Sequence, residues 1–185
     1  LADTPWCLHL SYIKPHWPYI APAPYHNMYS DGDILPANRS ETEKQSANPV
    51  IEAFMQHEES INFSREEVRR RVIPAYMGLI TEIDDNIGRL MASLKASGRL
   101  EDTLIVLTSD HGDYLGDHWL GEKEMFHEES VRIPMIIYDP DQKADARRGA
   151  NDDRLTEAVD LAATFVDALG GEAKPHILEG RSLLP

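Results

Sequence analysis

The sequence predicts an α/β fold, a mainly parallel sheet flanked by helices, and three features of the 185-residue chain carry that reading. Residues 104–108 (LIVLT) form a short apolar run that stops at Ser109-Asp110-His111-Gly112, the profile of a buried strand ending in a turn. Before it, residues 64–97 repeat apolar side chains every three or four positions, as an amphipathic helix does. After it, a second apolar run at 133–138 (IPMIIY) is followed by a helical pattern over 154–169. Strands and helices that alternate in this way build layered α/β domains.

Taken in order, residues 5–12 read as a first strand, ended by Lys14-Pro15-His16-Trp17-Pro18. Residues 19–62 hold prolines, aromatics and then a polar run at 38–48, without clear periodicity. They read as a long functional or covering loop, or an insertion, with a short helix expected at about 50–58. Ser64 is the expected N-cap of the long helix, and Glu67 completes a capping box. The apolar stripe runs through Ile73, Met77, Ile80, Ile83, Ile87, Leu90, Met91 and Leu94. Pro74 kinks this helix or marks its effective start, and Gly98 suits its C-terminal cap. Helix, turn and strand in succession fit a crossover in a parallel sheet. Residues 139–153 read as a polar surface loop, and Gly170-Gly171 end the last helix. About three strands are few for such a sheet, so the chain reads as part of a larger domain.

Composition bounds the function. The balance of 42% hydrophobic and 27% charged residues is that of a globular protein, and the longest apolar run is far short of a membrane span. A net charge of −14 argues against nucleic-acid backbones and anionic membranes as partners. The single Cys7 excludes an internal disulfide and a cysteine-based zinc site, and its apolar neighbours make it read as a buried structural thiol. The chain opens at Leu1 with no visible signal peptide, so a preceding segment is expected to be missing.

Asp110 and His111 are the first candidates for chemistry. They follow a strand end, where open α/β sheets bind ligands. A hard oxygen and an imidazole nitrogen make a workable divalent-metal pair, although Asp-His-Gly also ends strands for hydrogen-bonding reasons alone. Asp113, Asp117 and His118 cluster behind them and read as supporting or solvent-facing groups. Lys123 suits the neutralisation of an anionic ester oxygen, or is a solvated surface charge. His16, held between Pro15 and Pro18, suits a general acid or an anion donor, or packs on Trp17. His9, His26, His57, His118, His127 and His176 have no comparable context. No glycine-rich phosphate loop, Gly-x-Ser-x-Gly elbow or convincing nucleophile is present.

Several segments in order resemble the sulfatase branch of the alkaline phosphatase superfamily, and most closely its phosphonate monoester hydrolases and arylsulfatases. They are Ser11 to Pro18 with its Pro-His-x-Pro, the helix YMGLITEIDDNIGRLMASL at 76–94, TSDHG…LG at 108–116, and Arg132-Ile133-Pro134. Val159-Asp160-Leu161 with Thr164, and the exit Gly180-Arg181-Ser182-Leu183-Leu184-Pro185, complete the set. The resemblance implies a three-layer alkaline-phosphatase-like sandwich, of which residues 1–185 would be the C-terminal part of the catalytic domain. It implies a metal-dependent hydrolase of sulfate esters, phosphonate monoesters or phosphodiesters. Asp110 and His111 would be two ligands of one divalent ion (calcium, manganese or magnesium). Lys123 would contact the anionic group, and His16 would contact it or assist the leaving oxygen. The family's nucleophile is a formylglycine made in a Cys/Ser-x-Pro-x-Arg segment. That segment is absent here, since Cys7 is followed by Leu-His-Leu-Ser, and is expected outside this chain together with an aspartate that completes the metal site. This part alone is therefore expected to be inactive. Two alternatives remain: a two-metal phosphodiesterase or phosphomutase of the same superfamily, and an inactive binding domain. The expected partner is a small anionic ester, a homo-oligomer is compatible, and the compartment stays open with the cytoplasm as default.

Overall fold

The computed structural model describes residues 4–45, 47–172 and 174–184; Ser46 of the expected polar run and Pro185 of the expected exit motif lie outside them. The elements are α1 (Glu41–Gln45), α2 (Pro49–Met55), α3 (Glu58–Phe63), α4 (Glu66–Ala96), β1 (Ile105–Thr108), α5 (Glu128–Val131), β2 (Met135–Tyr138) and α6 (Ala158–Ala168), with short 3-10 turns between them. β1 and β2 pair in a two-stranded sheet. The Thr108 hydroxyl donates to the Pro134 carbonyl at 2.9 Å, which ties the end of β1 to the entry of β2. No helix among the described residues is long and apolar enough to cross a membrane. The chain divides into two compact units, one of Ser11–Leu100 with Leu107–Ile136, the other of Leu1–Leu10, Glu101–Val106 and Ile137–Pro185.

In the larger unit, α4 forms from the 3.6-residue stripe and spans 31 residues without a break at Pro74, which is buried inside it. Its start differs from the expected capping box. Arg65 is the residue before the helix and makes no side-chain cap. Ser64 instead closes α3, its hydroxyl donating to the Ile61 carbonyl at 2.8 Å. The two helices are only two residues apart, so the serine serves the orphaned carbonyls behind it and not the N–H groups ahead. Gly98 past the end adopts φ +69, the left-handed turn that suits a C-cap.

Residues 19–62 carry three short helices and two 3-10 turns where an irregular stretch was expected. In place of one helix over 50–58 there are two, α2 and α3. The Tyr25–Asn27 turn packs on α4 so closely that a Cβ at Gly78 would stand 2.3 Å from the Tyr25 carbonyl oxygen. Hydrogen bonds from Tyr25 to Asp85 at 2.7 Å and between Tyr29 and Thr81 at 2.8 Å fasten the segment there. The core of this unit gathers Met55, Tyr114 and Leu120, with Ile51, Phe54, Trp119 and Met125 against them. The Asp/His-rich loop thus anchors itself through its own apolar residues, and full burial of Tyr114 and Leu120 contributes about 2 kcal/mol each.

In the smaller unit, α6 begins at a capping box formed by Glu157 and Asp160, four residues later than the periodicity suggested. The Asp160 carboxylate also accepts the Arg181 N–H at 2.9 Å. The Thr164 hydroxyl donates to the Asp160 carbonyl and accepts the Leu183 N–H at 3.0 Å. These bonds lay the closing Gly-x-Ser-Leu segment along the helix. The strand expected over residues 5–12 does not form. Trp6, Leu8 and Leu10 are about half to two-thirds exposed (49%, 68% and 48%), and Cys7, expected to be buried, is exposed. The segment has no partner strand among the described residues, and an isolated apolar run lacks both ladder and cover.

Candidate active site

Asp110 and His111 leave β1 at its C-terminal end. The Ser109 hydroxyl donates to the His111 carbonyl at 2.8 Å, and the His111 N–H donates to Asp110 Oδ1 at 3.1 Å, which turns the chain sharply. His111 Nδ1 lies 2.7 Å from the Gly112 carbonyl, so that nitrogen carries the proton and donates. Nε2 is the ring nitrogen left for a ligand, 3.7 Å from Asp110 Oδ2. A fixed tautomer of this kind is how a metal-ligating histidine is held. The Asp110 side chain is exposed and half of a hard-donor set. Burial pulls its carboxyl up, but backbone N–H donors, His111 and Ser109 outweigh this and hold it below the ordinary carboxylate value. The pair fits two positions of a divalent-ion site.

His16 and Lys123 are 107 residues apart in sequence, and Lys123 Nζ stands 3.1 Å from His16 Nε2. Lys14 holds the His16 loop, its ammonium donating to the carbonyls of His16 (3.2 Å) and Pro18. His16 Nδ1 donates to the Trp17 carbonyl at 3.0 Å, so its Nε2 accepts from the lysine. The ring packs on Trp17, with centroids 5.5 Å apart, and meets His111 edge-on at 6.0 Å. The expected packing on Trp17 is present, and it holds the His16 ring beside Lys123 and His111. Lys123 also pairs with Glu122 at 3.3 Å, and its side chain is 31% exposed. All four expected site residues lie in the larger unit.

Asp113 and Asp117 hold the surrounding loop together with Tyr19 and Asn38, which the sequence did not single out. The Tyr19 hydroxyl donates to Asp113 at 2.6 Å, and Asp113 also accepts the Leu115 N–H at 3.1 Å. Burial pushes the Asp113 carboxyl up, and it raises the Tyr19 and Tyr76 phenols as well, the latter to about 12. Asp117 accepts the Asn38 N–H at 2.9 Å. Leu115, His118, Trp119 and Glu122 all have positive φ (46°, 53°, 62° and 61°), a conformation that side chains adopt only where the surroundings impose it.

A second cluster joins Glu43, His118 and His127, whose ligand-type atoms lie within 4.8 Å of one another. Their present arrangement is a hydrogen-bonded network. His118 spends Nδ1 on Glu43 (2.5 Å) and faces Glu129 with Nε2 (3.2 Å). His127 Nδ1 pairs with the Tyr114 hydroxyl at 2.8 Å. The two imidazoles stack 4.1 Å apart with planes 12° from parallel, so their in-plane lone pairs run side by side and do not converge. Burial pulls the His118 pKa down, but Glu43, Glu129 and Asp117 together raise it above its ordinary value.

This fold and loop define a class. The sulfatase family profile matches residues 1–171, and the chain belongs to that family. It is 40% identical over 193 aligned residues to the multifunctional alkaline phosphatase superfamily protein PehA of Trinickia caryophylli, covering 98% of this chain and 37% of that protein. It is 31% identical to an arylsulfatase of Clostridium perfringens, covering 97% of this chain and 37% of the relative. The phosphonate monoester hydrolase SpPMH of Silicibacter pomeroyi superposes with a TM-score of 0.81 at 32% identity, over 98% of this chain and 37% of that one. The chain spans about 37% of the length of these relatives. Family and fold agree with the resemblance carried by the sequence motifs.

Proposed function

We propose that the protein to which this chain belongs is a metal-dependent hydrolase of sulfate esters, phosphonate monoesters or phosphodiesters. The contact of Lys123 with His16 at 3.1 Å, beside the His111 ring, is the observation that carries this reading. Asp110 and His111 would hold one divalent ion, which when bound supplies Lewis acidity toward the ester oxygen and the attacking group. Lys123 would neutralise charge gathering on the transferring group, worth about 3–4 kcal/mol in a water-poor site. His16 Nε2 would accept a donor in the resting site and direct a proton to the leaving oxygen once protonated. The attacking group, which the resemblance assigns to a formylglycine, would come from a segment outside these 185 residues.

Replacing Asp110 by Ala in the full-length protein tests the reading. Ester hydrolysis is expected to vanish and bound metal to fall, measured as turnover of aryl sulfates and phosphonates beside elemental analysis. Wild-type turnover with wild-type metal content in that variant would overturn it. The same analysis on the parent protein distinguishes one ion per site from the two of a phosphodiesterase or phosphomutase.

A further inference from the structure

Glu122 brings a negative charge to a place where an anionic ester would bind. Its side chain is 15% exposed, its carboxylate stands 3.3 Å from Lys123 Nζ, and its backbone sits at φ 61°. That low exposure leaves the carboxylate largely withdrawn from solvent beside the lysine. His16 Nε2 stands 3.1 Å from the same ammonium, on the far side of the ring from the Trp17 carbonyl held by Nδ1. Glu122 therefore offsets the charge of Lys123. Each negative charge on a bound ester meets the attraction of the lysine and the repulsion of the carboxylate together, so a second charge adds a second repulsion.

Building on the hydrolase reading above, we propose that Glu122 is a specificity-determining residue that sets the site for esters with one negative charge. Sulfate monoesters, phosphate diesters and phosphonate monoesters carry one; phosphate monoesters carry two near neutral pH and above. A second ester charge about 6 Å from the carboxylate, at an effective dielectric of about 20, is disfavoured by roughly ten- to a hundredfold in kcat/KM. Glu122 acts without touching the reacting atoms, by fixing Lys123 and offsetting its charge.

The test uses the full-length protein at pH 8. It measures kcat/KM for 4-nitrophenyl phosphate, a dianion, against bis(4-nitrophenyl) phosphate and 4-nitrophenyl sulfate, both monoanions. E122Q keeps the side-chain size and removes the charge, and is expected to raise the dianion-to-monoanion ratio at least about tenfold. E122D keeps the charge and is expected to stay within about threefold of the parent ratio. A merely structural role would lower all three activities together and leave the ratio in place. E122A removes the same charge and supplies the ratio if E122Q does not fold. Parent turnover with a ratio that neither uncharged variant moves overturns the role of Glu122 alone. A parent protein that hydrolyses none of the three esters overturns the hydrolase reading and this proposal with it.

Discussion

Gly112 follows His111 and allows the Asp110-His111 loop to touch the backbone of α5 at Glu129 and Ser130. Its N–H donates to the Ser130 carbonyl at 2.7 Å. A Cβ at this position would stand 1.9 Å from the Glu129 carbonyl oxygen, 3.0 Å from its carbon and 3.4 Å from Ser130 Cα. Non-bonded contacts to carbon settle near about 3.5 Å, so Gly112→Ala forces the two backbones apart by about 1.5 Å. Overpacking of this kind costs about 1–3 kcal/mol, and losing the Ser130 hydrogen bond adds about 1 kcal/mol. The variant should therefore unfold about 2–4 kcal/mol more easily in urea. His111, the proposed metal ligand, moves with its neighbour, and a misplacement of about 1 Å at a reacting site costs roughly a hundredfold in rate. Steady-state hydrolysis by the full-length protein reads that loss. A variant with the parent unfolding midpoint and kcat/KM within about threefold would refute the claim that this close approach positions the loop.

Other perturbations follow from the same geometry. Lys123→Met should lower kcat/KM by about a hundredfold or more while bound metal is unchanged; loss of metal with the lysine would place it in the wrong role. Arg69, 3% exposed, pairs with Glu66 at 2.9 Å and donates to the carbonyls of Leu115 (3.1 Å) and Leu35 (3.4 Å). Arg69→Met should cost about 2–4 kcal/mol by chemical denaturation, and a change below about 0.5 kcal/mol would contradict it. His118 has a folded pKa raised above its ordinary value by its carboxylate partners. Its ion pairs then stabilise fully below the unfolded value of about 6.5, and that contribution drains away as pH rises through the folded value. The stability gap between the parent and His118→Gln should shrink from pH 6 to pH 9 in urea titrations, and a constant gap would sink the imidazolium assignment.

Much of this molecule is written in local sequence. A 3.6-residue stripe survives any tertiary context when it is 31 residues long, and so α4 forms through Pro74. β1 and the Asp110-His111 turn follow from an apolar run that meets Asp, His and Gly. The motif order was sufficient for the family, because its segments keep their residues and sequence. What the chain could not state alone depends on which segments form and how they pack. Ser64 closes α3 because α3 exists, and nothing near Ser64 announces that helix strongly. Residues 5–12 have strand composition but no ladder, since a strand is completed by its neighbour and not by itself. The distance from Lys123 to His16 and the tie of Tyr19 to Asp113 are both long-range. Sequence selects side-chain chemistry and local backbone, whereas the direction in which a side chain points, and which charge it meets, is set only when distant segments pack.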